Sequence, residues 1–164
     1  LSPAGTGRCW EVHTIVQAQG WEFASTLLSN HAHVDTLKFN NLEFVSWGLG
    51  KAYSSVPPPW THYLKSTDAV IFAIDAAARE HIGEATDELH HLFGHQELRS
   101  TKLLVFANKQ DKPDSVTTQE ISEKLLLEGV MPRMQYQVKA SVIVREEGMH
   151  EGLSWLNEAL LGRL

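Results

Sequence analysis

The chain has a single cysteine in 164 residues, no basic block longer than two residues, and no long apolar run. Each absence excludes something. Cys9 alone cannot form an intramolecular disulfide, so a reducing compartment is compatible with the sequence. A net charge of −6, from 14 Lys and Arg against 20 Asp and Glu, argues against a nucleic-acid or anionic-membrane surface. No segment approaches the ~18–20 consecutive apolar residues of a membrane span, so no direct membrane insertion is expected. Residues Leu1 to Arg8 are rich in Gly and Pro, lack the regions of a signal peptide, and carry no Met-Gly acylation start. No internal repeat, low-complexity tract or linker divides the chain. We therefore expect a flexible leader over residues 1–9 and one domain over 10–164. An apolar content of 43% and a charged content of 21% allow that domain a proper core.

Strand-like and helix-like segments alternate, the pattern of an α/β domain with a mostly parallel sheet. Strands are predicted at Trp10–Val16, Val34–Phe39, Leu42–Trp47, Ala69–Ile74 (ending at Asp75), Leu103–Ala107 and Tyr136–Val144. Asn40-Asn41 between the second and third is a two-residue hairpin signal. Helices are predicted at Trp21–Leu28, Ala76–Phe93, from Thr118 onward, and at His150–Leu161, with Pro113 breaking what precedes the third. In the second, Ile82, Ala85, Leu89 and Leu92 have amphipathic spacing.

The most informative stretch is Asn108-Lys109-Gln110-Asp111, directly after the apolar run Leu103–Ala107. It resembles the N-K-x-D loop with which guanine-nucleotide proteins hold the base. There the Asp carboxylate accepts hydrogens from guanine N1–H and the 2-amino group, the Asn supports the loop, and the Lys stem packs along the ring. More of the chain, from about Val34 to the C-terminus, resembles the ADP-ribosylation-factor (Arf and Arf-like) family of small GTPases. Asn40–Trp47 is similar to that family's second and third strands, and Pro58-Pro59-Trp60-Thr61-His62-Tyr63 to its P-x-W-x-x-Y switch II helix. Ala69–Asp75 with Arg79-Glu80, then Glu97-Leu98-Arg99, and finally Glu151-Gly152-Leu153 with Trp155-Leu156, continue the resemblance in family order. It implies a P-loop GTPase-like three-layer α/β sandwich with roughly six strands.

The resemblance fails at the phosphates. The family carries G-x-x-x-x-G-K-[ST] after its first strand: backbone N–H groups cradle the phosphates, Lys meets their oxygens, and Ser or Thr ligates Mg²⁺. After Trp10–Val16 the matching positions are Ala18–Ser25, with Ala18 and Phe23 for the glycines and Ala24 for the Lys; only Ser25 is left to ligate a metal. A rival register, Ser2–Cys9, looks more like a phosphate loop but has only Leu1 before it in place of a strand. Switch I is short, Ser29–His33. The family's W-D-x-G-G-Q becomes Trp47-Gly48-Leu49-Gly50-Lys51-Ala52, which removes the Mg²⁺-holding carboxylate and the Gln that orients attacking water. On the base side, Val142-Ile143-Val144 stands where the family has C-A-T or S-A-K. At roughly 1.5–3 kcal/mol per charged hydrogen bond, losing about three contacts forfeits on the order of 4–9 kcal/mol, or roughly 10³–10⁶ in affinity.

These readings lead to an Arf-like pseudo-GTPase, an interaction module or a structural subunit of an assembly, intracellular and on the cytoplasmic side. No catalytic residue and no cofactor are expected. A protein partner is expected on the hairpin and switch II face, through Val34, Thr36, Phe39, Phe44, Trp47, Trp60 and Tyr63, with the Pro57-Pro58-Pro59 run stiffening switch II. The alternative is a divergent GTP-binding switch in intracellular or ciliary trafficking, with weak or no hydrolysis. It would hold GTP or GDP on Asn108, Lys109 and Asp111, with Mg²⁺ on Ser25. Asn108-Lys109-Gln110-Asp111 itself reads equally as a structural remnant or as a weak guanine site. Of the nine histidines, His91 and His95 stand at metal-ligand spacing and His31 and His33 flank the short loop, but no third ligand accompanies either pair, and a solvated surface explains them better than a metal or catalytic role.

Overall fold

A computed structural model describes residues 13–17, 33–39, 42–48, 67–125 and 134–163. The leader, the segments Ser2–Cys9 and Ala18–Ser25, the predicted helix Trp21–Leu28, and Pro57, Trp60 and Tyr63 lie outside the described residues.

Six strands form one sheet: β1 (His13–Gln17), β2 (His33–Phe39), β3 (Leu42–Gly48), β4 (Ala69–Asp75), β5 (Lys102–Asn108) and β6 (Tyr136–Ala140). Their order is β2-β3-β1-β4-β5-β6. Three described α-helices accompany them: α1 (Ile82–Phe93), α2 (Thr118–Lys124) and α3 (Met149–Leu160). The β2–β3 ladder closes with Phe39 opposite Leu42, as the Asn40-Asn41 signal requires.

β4 and β5 are parallel, with Asp75 level with Asn108, and β5 and β6 are parallel. β4 and β5 are apolar along most of their length because both faces are covered. Val70, Phe72 and Ile74 of β4 join Leu103, Val105 and Ala107 of β5 under Ile82, Ala85, Leu89 and Leu92 of α1 and Ile121 of α2. On the other face Ala69, Ile71, Leu104 and Phe106 pack against Leu153 and Leu156 of α3. This gives the expected three layers. Each fully buried Leu or Phe contributes roughly 1.5–3 kcal/mol relative to exposure. Gly152 brings α3 close: a Cβ there would lie 2.6 Å from the Phe106 ring.

β1 sits between β3 and β4 and runs against both. It pairs His13 with Phe72 and Val16 with Ala69, so its last residues lie at the end of the sheet where β4 begins. β3, β4, β5 and β6 therefore point one way and β1 and β2 the other.

Three predicted boundaries move. The first strand is described over His13–Gln17, against Trp10–Val16 expected, with residues 10–12 outside the described residues. The helix expected from Ala76 begins at Ile82, because the preceding backbone is engaged elsewhere. Ala76 N–H donates to Asn108 O at 2.9 Å, Ala77 N–H to Asp75 Oδ1 at 2.9 Å, and Ala76 O accepts from Val116 N–H at 2.9 Å. The last strand ends at Ala140, not Val144: Val142 pairs with Glu147 and Ile143–Arg145 form a 3₁₀ turn. α2 starts as expected at Thr118, capped by Thr117, whose hydroxyl accepts Glu120 N–H at 3.2 Å.

Candidate functional site

β5 delivers Asn108 to the edge of the sheet, and the chain must then turn sharply. Lys109 makes that turn with φ 64°, a left-handed conformation that costs a side-chain-bearing residue roughly 1–2 kcal/mol. The neighbourhood holds it there. Lys109 Nζ donates to Asp75 Oδ2 at 2.6 Å, and the Asp75 side chain is only 7% exposed. Lys109 O accepts from Ser115 Oγ at 2.6 Å and from Lys112 N–H at 3.1 Å. Thus the Lys of the N-K-x-D loop braces the site through the carboxylate at the end of β4.

A second loop, 141–147, closes over the first. Gln110 N–H donates to Ser141 O at 3.2 Å, Gln110 Nε2 to Val116 O at 2.9 Å, and Ser141 N–H to Ala107 O at 3.0 Å. Asn108 Oδ1 accepts Ile143 N–H at 2.9 Å, so the Asn supports the loop as its residue type suggested. Two left-handed residues bend this loop, Glu146 with φ 60° and Gly148 with φ 77°. At Gly148 a Cβ would fall 2.0 Å from Ala140 O, so only glycine fits.

Asp111 follows Lys109 and Gln110 on the same loop, an exposed residue whose side chain is about one-fifth exposed. Lys112 Nζ lies 3.8 Å and Arg145 guanidinium 3.9 Å from its Oδ2, beyond hydrogen-bond distance. Its carboxylate is thus electrostatically held yet able to accept two hydrogens from a planar base, the property that discriminates guanine from adenine. Val144, exposed by 91%, occupies the rim. Asn108, Lys109 and Asp111 stand on one loop that begins at the end of β5. The structure adds Asp75 and Arg145, which sequence reasoning did not assign to the site, and gives a role to Ile143, which the sequence marked only as part of the altered segment Val142-Ile143-Val144. Asp75 was legible only as a strand end, and Ile143 contributes a backbone N–H that no side-chain pattern announces.

Val34, Thr36 and Phe39 lie on β2, and Phe44 and Trp47 on β3. The ladder sets Val34 opposite Trp47 and Leu37 opposite Phe44. Val34, Thr36 and Trp47 therefore hold one set of alternating ladder positions, and Phe39 and Phe44 the other.

A model of the ADP-ribosylation factor family matches residues 13–160. The chain belongs to this family. Among solved structures it is similar to the Arl6 (BBS3) small GTPase from Trypanosoma brucei, determined with the bound nucleotide analogue GppNp. The two share 25% identity over 86% of this chain and 87% of that one, with a TM-score of 0.73. The small-GTPase fold expected from the sequence is thereby shown.

The family implies a guanine nucleotide with Mg²⁺. Of the group the family implies, the base would be met by the Asp111 carboxylate, which neither Lys112 nor Arg145 approaches within hydrogen-bond distance. Among the described residues no group of three or more His, Cys, Asp and Glu is placed to hold a metal ion. His91 and His95 stack edge to face with ring centroids 5.9 Å apart, and His90 Nε2 lies 2.8 Å from Leu125 O at the end of α2. A shallow groove lined by Arg79, Ile82, Gly83, Thr86, Asp87 and Lys124 runs between α1 and α2 and includes no residue of the base loops. No helix among the described residues is long and apolar enough to cross a membrane.

Proposed function

We propose that this Arf-family protein is a pseudo-GTPase, a constant protein-interaction module or structural subunit of an intracellular assembly. The observation that carries the reading is the way the base loops hold themselves. Lys109 is tied to Asp75 and Asn108 to Ile143 N–H, so the loop keeps its shape through the chain's own contacts. A family switch instead uses γ-phosphate and Mg²⁺ to order its loops. Gly48 and Ala52 and, in the Ala18–Ser25 register, Ala24 match the family positions that make those contacts. The partner surface is the β2–β3 hairpin with Val34, Thr36, Phe39, Phe44 and Trp47, extended by Trp60 and Tyr63, and faces the cytoplasmic side.

A second reading is a divergent GTP-binding switch in trafficking. The unblocked Asp111 carboxylate favours it. One experiment separates the two: denature the purified protein, chromatograph the supernatant for guanine nucleotides, and titrate GDP and GTP with Mg²⁺ calorimetrically. The pseudo-GTPase yields no nucleotide and no sub-micromolar binding. Near-stoichiometric nucleotide release establishes the switch and makes Ser25 its candidate metal ligand.

A further inference from the structure

Asp111 and Arg145 reach the same place from two different loops. Asp111 follows β5, and Arg145 ends the 3₁₀ turn Ile143–Arg145 beyond β6. One guanidinium nitrogen of Arg145 lies 3.9 Å from Asp111 Oδ2, and another lies 3.9 Å from Glu147 Oε1. The backbone beneath is fixed: Arg145 N–H donates to Val142 O at 2.8 Å, Glu146 N–H to Ile143 O at 3.0 Å, and Val142 N–H to Glu147 O at 3.0 Å. The loop therefore sets where the guanidinium starts, and a carboxylate draws it from each side. Both gaps exceed hydrogen-bond length, so its N–H groups stand beside Asp111 without being taken up by it.

The backbone donors of the same loop are committed elsewhere. Ile143 N–H, at the centre of the segment that departs from the family's C-A-T, is accepted by Asn108 Oδ1 at 2.9 Å. The N–H groups of Val142, Arg145 and Glu146 are likewise engaged within the loop. The cations beside the Asp111 carboxylate are Arg145 and Lys112. Of these, Lys112 is a flexible point charge on Asp111's own loop, whereas Arg145 presents a planar fork of donors from the facing one.

Guanine carries an acceptor, O6, beside two donors, N1–H and the 2-amino group. A carboxylate satisfies the two donors and leaves O6 facing whatever stands next to it. An oxygen taken from water and given no donor costs much of the affinity gained. Adenine in the same pose would turn an amino group toward that neighbour, and a guanidinium has no acceptor to offer it.

We infer that Arg145 is a specificity-determining residue of the base site. With Asp111 it forms one edge for guanine: the carboxylate takes N1–H and the 2-amino group, and the guanidinium donates to O6. Glu147, on the far side, positions the guanidinium. The inference rests on Asn108–Asp111 marking the base position. It goes beyond the pseudo-GTPase reading and is compatible with it, because it concerns a weak hold on the base alone and asks nothing of the phosphates.

The test uses the full chain and nucleoside monophosphates, so that polyphosphate and Mg²⁺ play no part. GMP, 6-thio-GMP and AMP are titrated to millimolar concentration against the amide resonances of residues 108–111 and 141–147. 6-Thio-GMP keeps both donors of the edge and replaces O6 by sulfur, a weaker acceptor. The expected result is saturable shifts with GMP and binding at least about tenfold weaker with AMP. Among the described residues the Arg145 side chain meets charged groups only at 3.9 Å, so Arg145→Ala should keep the amide spectrum of the native fold. It should weaken GMP about tenfold, the effect of one charge-assisted bond from a side chain 58% exposed, and weaken 6-thio-GMP less than about threefold. No shift with GMP at millimolar concentration overturns the inference and leaves the pseudo-GTPase reading standing. So do equal losses for GMP and 6-thio-GMP, which would make Arg145 a general charge at the site, and tighter GMP binding by Arg145→Ala, which would make it a competitor for Asp111. Sub-micromolar GTP binding with Mg²⁺ overturns the pseudo-GTPase reading alone, and the same comparison of Arg145→Ala with GTP and 6-thio-GTP then decides this one.

Discussion

β4 divides the sheet into two unlike halves. On one side β4, β5 and β6 run parallel, pack helices on both faces, and end in two loops held by a dense set of short hydrogen bonds. On the other side β1, β3 and β2 pair antiparallel throughout. The first half carries the Asn108-Lys109-Gln110-Asp111 loop, at the position where the family meets the base. The second is where such a protein would attach phosphates and sense them. The contrast teaches that one sheet can combine a parallel half covered by helices on both faces with an antiparallel half, and that membership of a family does not by itself assign the chemistry of either.

The largest expected effect breaks the well-built half. Gly148→Ala forces a Cβ to within 2.0 Å of a backbone oxygen that cannot yield, at φ 77°. A loss of more than ~3 kcal/mol is expected in urea unfolding, because strain and overlap add. A loss below ~1 kcal/mol would mean that the 141–147 loop is loose, and the contrast between the halves would disappear.

Asp75 stands on the dividing strand and belongs to the first half by its contacts. Asp75→Asn keeps the shape but removes the charge that Lys109 meets at 2.6 Å. Because Lys109 is 46% exposed, water screens what remains, and the expected loss is about 1–2 kcal/mol. A double-mutant cycle with Lys109→Met should return a coupling of about 1 kcal/mol. Negligible coupling would show that the left-handed turn at Lys109 is held by Ser115 and Lys112 alone, and would remove the main support for a self-sufficient base loop.

Much of the first half is legible in the amino-acid sequence. Continuous apolar runs at Ala69–Ile74 and Leu103–Ala107 announce strands covered on both faces, and the Ile82, Ala85, Leu89, Leu92 spacing announces the helix above them. The direction of β1 is not legible there. His13-Thr14-Ile15-Val16 carries a strand pattern that is as compatible with one direction as with the other, so composition cannot set its polarity. The missed ends of β6 and α1 have a common cause. Backbone groups at Ala76, Ala77 and Ile143 bond to the site instead of continuing a ladder or a helix, and side-chain patterns do not report on backbone partners.

The smallest effect tests whether surface charge contributes to the rigidity of the first half. Glu120 on α2 is paired with Lys124 and with Arg79, which follows β4. Desolvation pushes its carboxyl up, but the bonds from Lys124 and Arg79 and their two charges outweigh it, and the group is held below the usual glutamate value of 4.5. A carboxyl lowered by folding stabilises the native state at pH above its unfolded value, and that contribution is lost as pH falls through the folded value. Glu120→Gln should therefore lower stability slightly at neutral pH, by an amount that shrinks in concentrated salt and vanishes in acid. A difference unchanged by salt and persisting in acid would point to packing rather than charge at this position. The expected outcome, a small and screened effect, would leave the two loops held by the part-buried contacts at Asp75 and Asn108 and by the close approach at Gly148.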